Sequence, residues 1–139
     1  MGVEDPFSLW TSPHLLSVAD NAPEQVRALL RLARDHAETA RRVTPLHRPA
    51  FPPAASRDLA GRQVATLFFE DSTRTRGSFA SAAHRLAAGV VDLSGGGTSV
   101  SKGETLLDTA LTVEAFGVDA IVVRTSEDEA ARELSARVR

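Results

Sequence analysis

Val64-Ala65-Thr66-Leu67-Phe68-Phe69-Glu70-Asp71-Ser72-Thr73-Arg74-Thr75-Arg76 is the stretch on which the fold of this 139-residue chain turns. Its first six residues form a short, largely apolar run, as expected of a strand covered on both faces. The run stops at Glu70-Asp71, and the spacing then changes. Phe79, Ala82, Ala83, Leu86 and Ala87 recur at offsets of three and four, which predicts a helix from Ser72 to Ala88. Gly89 is expected to break it, and Val90 to Leu93 reads as a second strand. A strand that becomes a helix through Ser-Thr-Arg-Thr-Arg places unpaired backbone N–H groups and the positive end of a helix dipole beside hydroxyls and guanidinium groups.

Working outward, residues 94–103 (Ser-Gly-Gly-Gly-Thr-Ser-Val-Ser-Lys-Gly) have no apolar periodicity and read as a polar loop. Thr105 with Asp108 suits a capping box for a helix reaching about Phe116, Ala120 to Val123 is a third apolar strand, and Ser126 with Glu129 is placed to cap a last helix. Upstream, Val26, Leu29, Leu30, Ala33, Ala37 and Ala40 share one face of a helix expected over residues 21–42, with Asn21 and Glu24 as its capping pair. Residues 43–61 carry Pro45, Pro49, Pro52 and Pro53 and form a connector that cannot continue a helix or enter a central strand. The expected fold is α/β: a three-layer arrangement of a parallel sheet flanked by helices, with a βαβαβα unit over residues 62–139 inside one domain, 1–139. In such sheets ligands sit beyond the carboxyl ends of the strands. The segment after the first strand, the loop after the second, and Arg124 at the end of the third are therefore expected on one rim.

Composition removes several function classes. A formal charge of −2 leaves no overall basic field, so nucleic acid is not an expected partner, and any anion site must be local. The chain has no cysteine, which rules out disulfides and thiolate chemistry and is compatible with a reducing cytosol. No stretch approaches the roughly 20 apolar residues that cross a bilayer, and a cytoplasmic protein without a membrane role is expected. His14, His36, His47 and His84 show no paired ligand spacing, so neither a metal nor another cofactor is expected.

Ser72, Thr73, Arg74 and Thr75 are the first candidates for chemistry. One reading makes Ser72 an ordinary helix cap and leaves Arg74 and Arg76 solvated. Two arginines in a first turn, where the dipole disfavours cations, favour a compensating anion instead. The loop residues Thr98, Ser99, Ser101 and Lys102 could be a plain connector; the order Lys102-Gly103-Glu104 is not that of a Walker loop, and Gly-x-Gly-x-x-Gly after a strand is absent. Glu70 and Asp71 flank the anion segment, where a free carboxylate would repel phosphate, so pairing with a nearby arginine is their expected work.

Residues 67–79, Leu-Phe-Phe-Glu-Asp-Ser-Thr-Arg-Thr-Arg-Gly-Ser-Phe, resemble the phosphate-binding signature of the aspartate and ornithine carbamoyltransferases. His84-Arg85-Leu86, the stretch Ser99 to Thr109 and the stretch Asp119 to Arg124 follow in that family's order and spacing, and His14 to Ser17 is similar to its opening segment. The resemblance implies the N-terminal, carbamoyl phosphate-binding domain of that fold. It implies that Ser72, Thr73, Arg74 and Thr75 hold the phosphate, that Arg124 reaches both phosphate and the carbamoyl oxygen, and that Lys102 with Thr98 or Ser99 enters a neighbouring subunit's site in a homotrimer, to which further subunits could be added. Arg74, Thr75, Arg124 and Lys102 would be the catalytic set. Lys102-Gly103-Glu104-Thr105 is similar to the aspartate enzymes, which implies transfer to L-aspartate; ornithine transfer, or a non-catalytic anion-binding or oligomer-forming module, are the alternatives. Two departures are expected to matter. Ala80 stands where the family usually has Glu, removing an i,i+4 partner for Arg76, and the sequence ends before the family's fourth strand and amino-acid-binding domain, so this chain alone is expected to be inactive.

Overall fold

The computed structural model describes residues 10, 12–43, 56–70, 72–93, 105–127 and 129–138. A short 3-10 turn at Val18–Asp20 precedes α1 (Pro23–Val43); then follow β1 (Gln63–Phe68), α2 (Thr73–Arg85), β2 (Gly89–Asp92), α3 (Leu106–Ala115), β3 (Ala120–Arg124) and α4 (Ala130–Ser135). The strands form one parallel sheet in the order β2-β1-β3, so the strand with the most apolar run lies at the centre. Ala65, Thr66, Leu67 and Phe68 of β1 are all buried, which is why that run lacks the alternation of a half-exposed strand. Burying a side chain such as Leu67 or Phe68 stabilises the fold by about 1.5–3 kcal/mol.

Strand order and side-chain alternation together assign the layers. The chain steps from β1 to β2 and then returns past β1 to β3. With crossovers of the same hand, that reversal sends α2 and α3 to opposite faces. On one face Ala65 and Leu67 pack with Ala110 and Val113 of α3 and Leu134 of α4, joined by Ile121 and Val123 of β3. The alternate residues, Thr66 and Phe68, look the other way, toward α2. This is the parallel sheet flanked by helices that the sequence implies.

Local details differ from the sequence reading in four places. Asn21 does not cap α1: its side-chain amide donates to the Ser17 carbonyl at 2.6 Å, and the Gln25 side-chain Oε1 accepts from the Ala22 N–H at 2.7 Å. The inward side of α1 is marked by Ala28, buried at 3%, whereas Leu29 and Leu30 remain exposed at 39% and 64%. Helix α2 stops at Arg85, short of Ala88, because Ala87 adopts a left-handed φ of 66°. There the Ala87 N–H donates to the His84 carbonyl at 3.1 Å and the Ala88 N–H to the Ala83 carbonyl at 2.9 Å, a Schellman ending without its usual glycine. Finally, α4 begins at Ala130 after Glu129, which makes no side-chain capping bond. The capping box expected at Thr105 and Asp108 is present in both directions.

Candidate functional site

β1 and β3 send their chains to opposite faces, β1 into α2 and β3 toward α4, which packs beside α3. A crevice therefore opens between their carboxyl ends, the topological switch point at which open α/β sheets take ligands. Arg124 is the last residue of β3 and stands opposite Phe68 in the ladder, with its carbonyl accepting from the Phe69 N–H at 2.9 Å. That register turns its side chain to the α2 face. There Nε donates to Glu70 Oε2 at 3.0 Å and Nη1 points at Thr75 Oγ1, 3.4 Å away in the first turn of α2. The pairing expected of Glu70 with a nearby arginine is thus made by Arg124.

Ser72 precedes α2 with φ −149° and ψ 72°, and its side chain makes no capping hydrogen bond. Simple capping therefore does not account for this serine. Its carbonyl accepts from the Arg76 N–H at 3.0 Å, closing the first turn. That turn contains no acidic residue, so nothing in the helix itself offsets the positive end of its dipole. Thr73 and Arg74 are exposed, and Arg74 has no side-chain partner among the described residues. Arg76 does have one: its Nε lies 3.6 Å from Asp92 Oδ2 at the end of β2. The missing glutamate at position 80 is visible in the sequence, whereas the only sequence signal of Asp92 is a carboxylate ending an otherwise apolar strand.

An open cleft of about 740 Å³ runs from Thr75, Phe79 and Arg124 along β3 to His14 and Leu15. A smaller hollow of about 170 Å³, lined by Leu15, Leu16, Ala110 and Leu134, lies on the α3–α4 side and holds none of the site arginines. Thr98, Ser99 and Lys102 lie outside the described residues. Among the described residues no group of three or more His, Asp or Glu side chains could hold a metal ion, and no helix is long and apolar enough to cross a membrane. Perturbed carboxylates lie at other places. The Gln63 N–H and the Arg62 guanidinium hold Asp119 below the usual carboxylate range, and the Thr105 hydroxyl and N–H do the same for Asp108.

Strand order, helix placement and a crevice lined by Thr75 and Arg124 define the class: an open, parallel α/β domain with a cleft at its topological switch point. The chain belongs to the aspartate/ornithine carbamoyltransferase family, whose carbamoyl-P binding domain model matches residues 13–139. It is 48% identical over 122 residues to the aspartate carbamoyltransferase catalytic subunit of Kineococcus radiotolerans, covering 88% of this chain and 35% of that one. Among solved structures, the aspartate transcarbamoylase of Trypanosoma cruzi in complex with aspartate and phosphate superposes with a TM-score of 0.76 at 30% identity, over 95% of this chain and 39% of that one. The catalytic subunit of M. jannaschii aspartate transcarbamoylase gives 0.75 at 34% identity, over 91% and 38%. The chain thus spans between a third and two fifths of the length of these relatives.

Proposed function

We propose that this chain forms the carbamoyl phosphate site of an aspartate carbamoyltransferase, which transfers the carbamoyl group to the α-amino group of aspartate, releases phosphate and serves pyrimidine biosynthesis in the cytoplasm. The observation that carries this reading is the meeting of Arg124 and Thr75 at 3.4 Å at the start of α2, beside Arg74, which has no side-chain partner among the described residues. In this reading Ser72, Thr73, Arg74 and Thr75 hold the phosphate through side chains and first-turn N–H groups. Arg124 reaches both the phosphate and the carbamoyl oxygen.

The reaction suits such groups. The aspartate amine attacks the carbamoyl carbon, negative charge grows on the carbamoyl oxygen, the bond to the phosphate oxygen breaks, and phosphate leaves with that electron pair. No covalent nucleophile is required, so acceleration comes from positioning and from donors aimed at the developing charge. Thr75 and Arg124 would serve the oxygen and Arg74 the leaving phosphate; loss of one such donor costs about 100-fold or more in rate. Lys102 with Thr98 or Ser99 would enter the pocket of a neighbouring subunit in a homotrimer, and a second domain would bring L-aspartate.

Titration of the chain with carbamoyl phosphate in a calorimeter tests the reading. Saturable binding that disappears in Arg74→Ala is expected, and full binding by that variant would overturn the assignment. Product analysis of the trimeric holoenzyme given aspartate or ornithine separates the acceptors, and binding without transfer would favour the non-catalytic module.

A further inference from the structure

Asp92 ends β2 on the same face of the sheet as α2, and its two oxygens have different partners. Oδ1 accepts from the Thr66 hydroxyl at 2.9 Å, while Oδ2 faces Arg76 Nε at 3.6 Å, an ion-pair distance too long for a good hydrogen bond. Thr66 is only 1% exposed and sits on the central strand, directly opposite Asp92 in the ladder. The carboxylate is thus oriented from the rigid core of the sheet, although the ion pair is half exposed, at 39% and 45% for the two side chains. Position 80 holds Ala, so the helix offers Arg76 no carboxylate one turn on. Arg76 also closes the first turn of α2 through its N–H to the Ser72 carbonyl.

We infer that Asp92, oriented by the Thr66 hydroxyl, is a positioning residue that holds Arg76 and so ties the first turn of α2 to the end of β2. The arginines of the rim are thereby sorted. Arg76 is drawn toward β2, Arg124 is held by Glu70 and Thr75, and Arg74 is left to meet the anion. The tether matters because a first helical turn frays easily, and the N–H groups that fray are those that would face the ligand. This inference rests on the anion site proposed above.

Two variants test it without changing any charge: Thr66→Val removes the hydroxyl that orients Asp92, and Arg76→Lys keeps the cation while losing the guanidinium fork. Affinity for inorganic phosphate and thermal unfolding are measured on the same samples. Each variant is expected to bind phosphate about three- to fivefold more weakly, the scale of an exposed ion pair, and the double variant no more weakly than the poorer single one, because both loosen one tether. Unchanged affinity with a lowered melting temperature would mean a purely structural role, and losses that multiply would mean two independent effects; either overturns the inference. Arg74→Ala run alongside separates the layers. If it retains phosphate binding, the site itself is wrong and the inference falls with it; if it loses binding while Thr66→Val does not, only the positioning role of Asp92 is lost.

Discussion

Glu70 and Arg124 are held 3.0 Å apart across the carboxyl ends of two neighbouring strands, with Arg124 stretched between Glu70 Oε2 and Thr75 Oγ1. The carboxylate holds the guanidinium through Nε while Nη1 faces the Thr75 hydroxyl. Arg124→Lys would retain a charge but not the fork that contacts two groups at once. Carbamoyl phosphate binding by this variant is expected to fall by about tenfold, the equivalent of one charge-assisted hydrogen bond, with little change in unfolding temperature. Calorimetric titration checks it, and wild-type affinity in the lysine variant would show that the fork is not used.

Arg74 offers the complementary case. It is exposed and unpartnered among the described residues, so its removal takes no contact from any of them. Arg74→Ala is expected to change unfolding free energy by less than about 0.5 kcal/mol, as for an ordinary surface site, while removing anion binding. Urea denaturation with and without phosphate measures both quantities: the wild type should gain stability with phosphate by mass action, and the variant should not.

The ending of α2 supplies a stabilising substitution. Ala87 occupies a left-handed conformation, φ 66°, that a side chain with a β-carbon adopts at a cost. Ala87→Gly is expected to raise stability by about 1 kcal/mol, since the helix ending is retained and the strain is relieved. A higher midpoint in chemical denaturation would bear this out, and a lower one would mean that the glycine's added freedom in the unfolded chain outweighs the strain.

Acid should weaken the sheet at the amino-terminal ends of its strands. Asp119 accepts from the Gln63 N–H at 2.8 Å and from Arg62 at 2.6 Å, and its carboxyl is held below the ordinary range. A carboxyl whose pKa is lower in the folded chain contributes stability that is fully present above its unfolded value and lost as pH falls through the folded one. The gap in stability between the wild type and Asp119→Asn should therefore be widest near neutral pH and close as the solution is acidified below the normal aspartate range. A gap that does not vary with pH would indicate that the hydrogen bonds, rather than the charge, carry the effect.

The central strand was the most legible element because its burial on both faces is written into adjacent residues: Ala65, Leu67 and Phe68 need no distant partner to be read as core. The same holds for the box at Thr105 and Asp108, whose parts lie three residues apart. Legibility fell wherever a residue's role depends on another far along the chain. Periodicity could show that α1 has an apolar stripe, but not that Ala28 rather than Leu29 turns inward. Gly89 drew attention as a helix breaker, whereas the reversal occurs at Ala87 because the 6→1 bond from Ala88 to Ala83 fixes where the chain turns. Asp92 was passed over because its meaning lies in Thr66, 26 positions earlier, and in Arg76 on the intervening helix.

The contact between Thr75 and Arg124 joins residues 49 positions apart, and it exists only while β3 lies in register against β1. Among the described residues β3, like β2, pairs on one side alone, so local opening can begin there. An anion bridging α2 and Arg124 would act as a kinetic latch on that strand. Amide protons of residues 120–124 would exchange more slowly as anion concentration rises, while those of β2 would be far less affected. Occupancy of the pocket would thereby be readable as a change in the lifetime of one particular ladder, without any change in its shape.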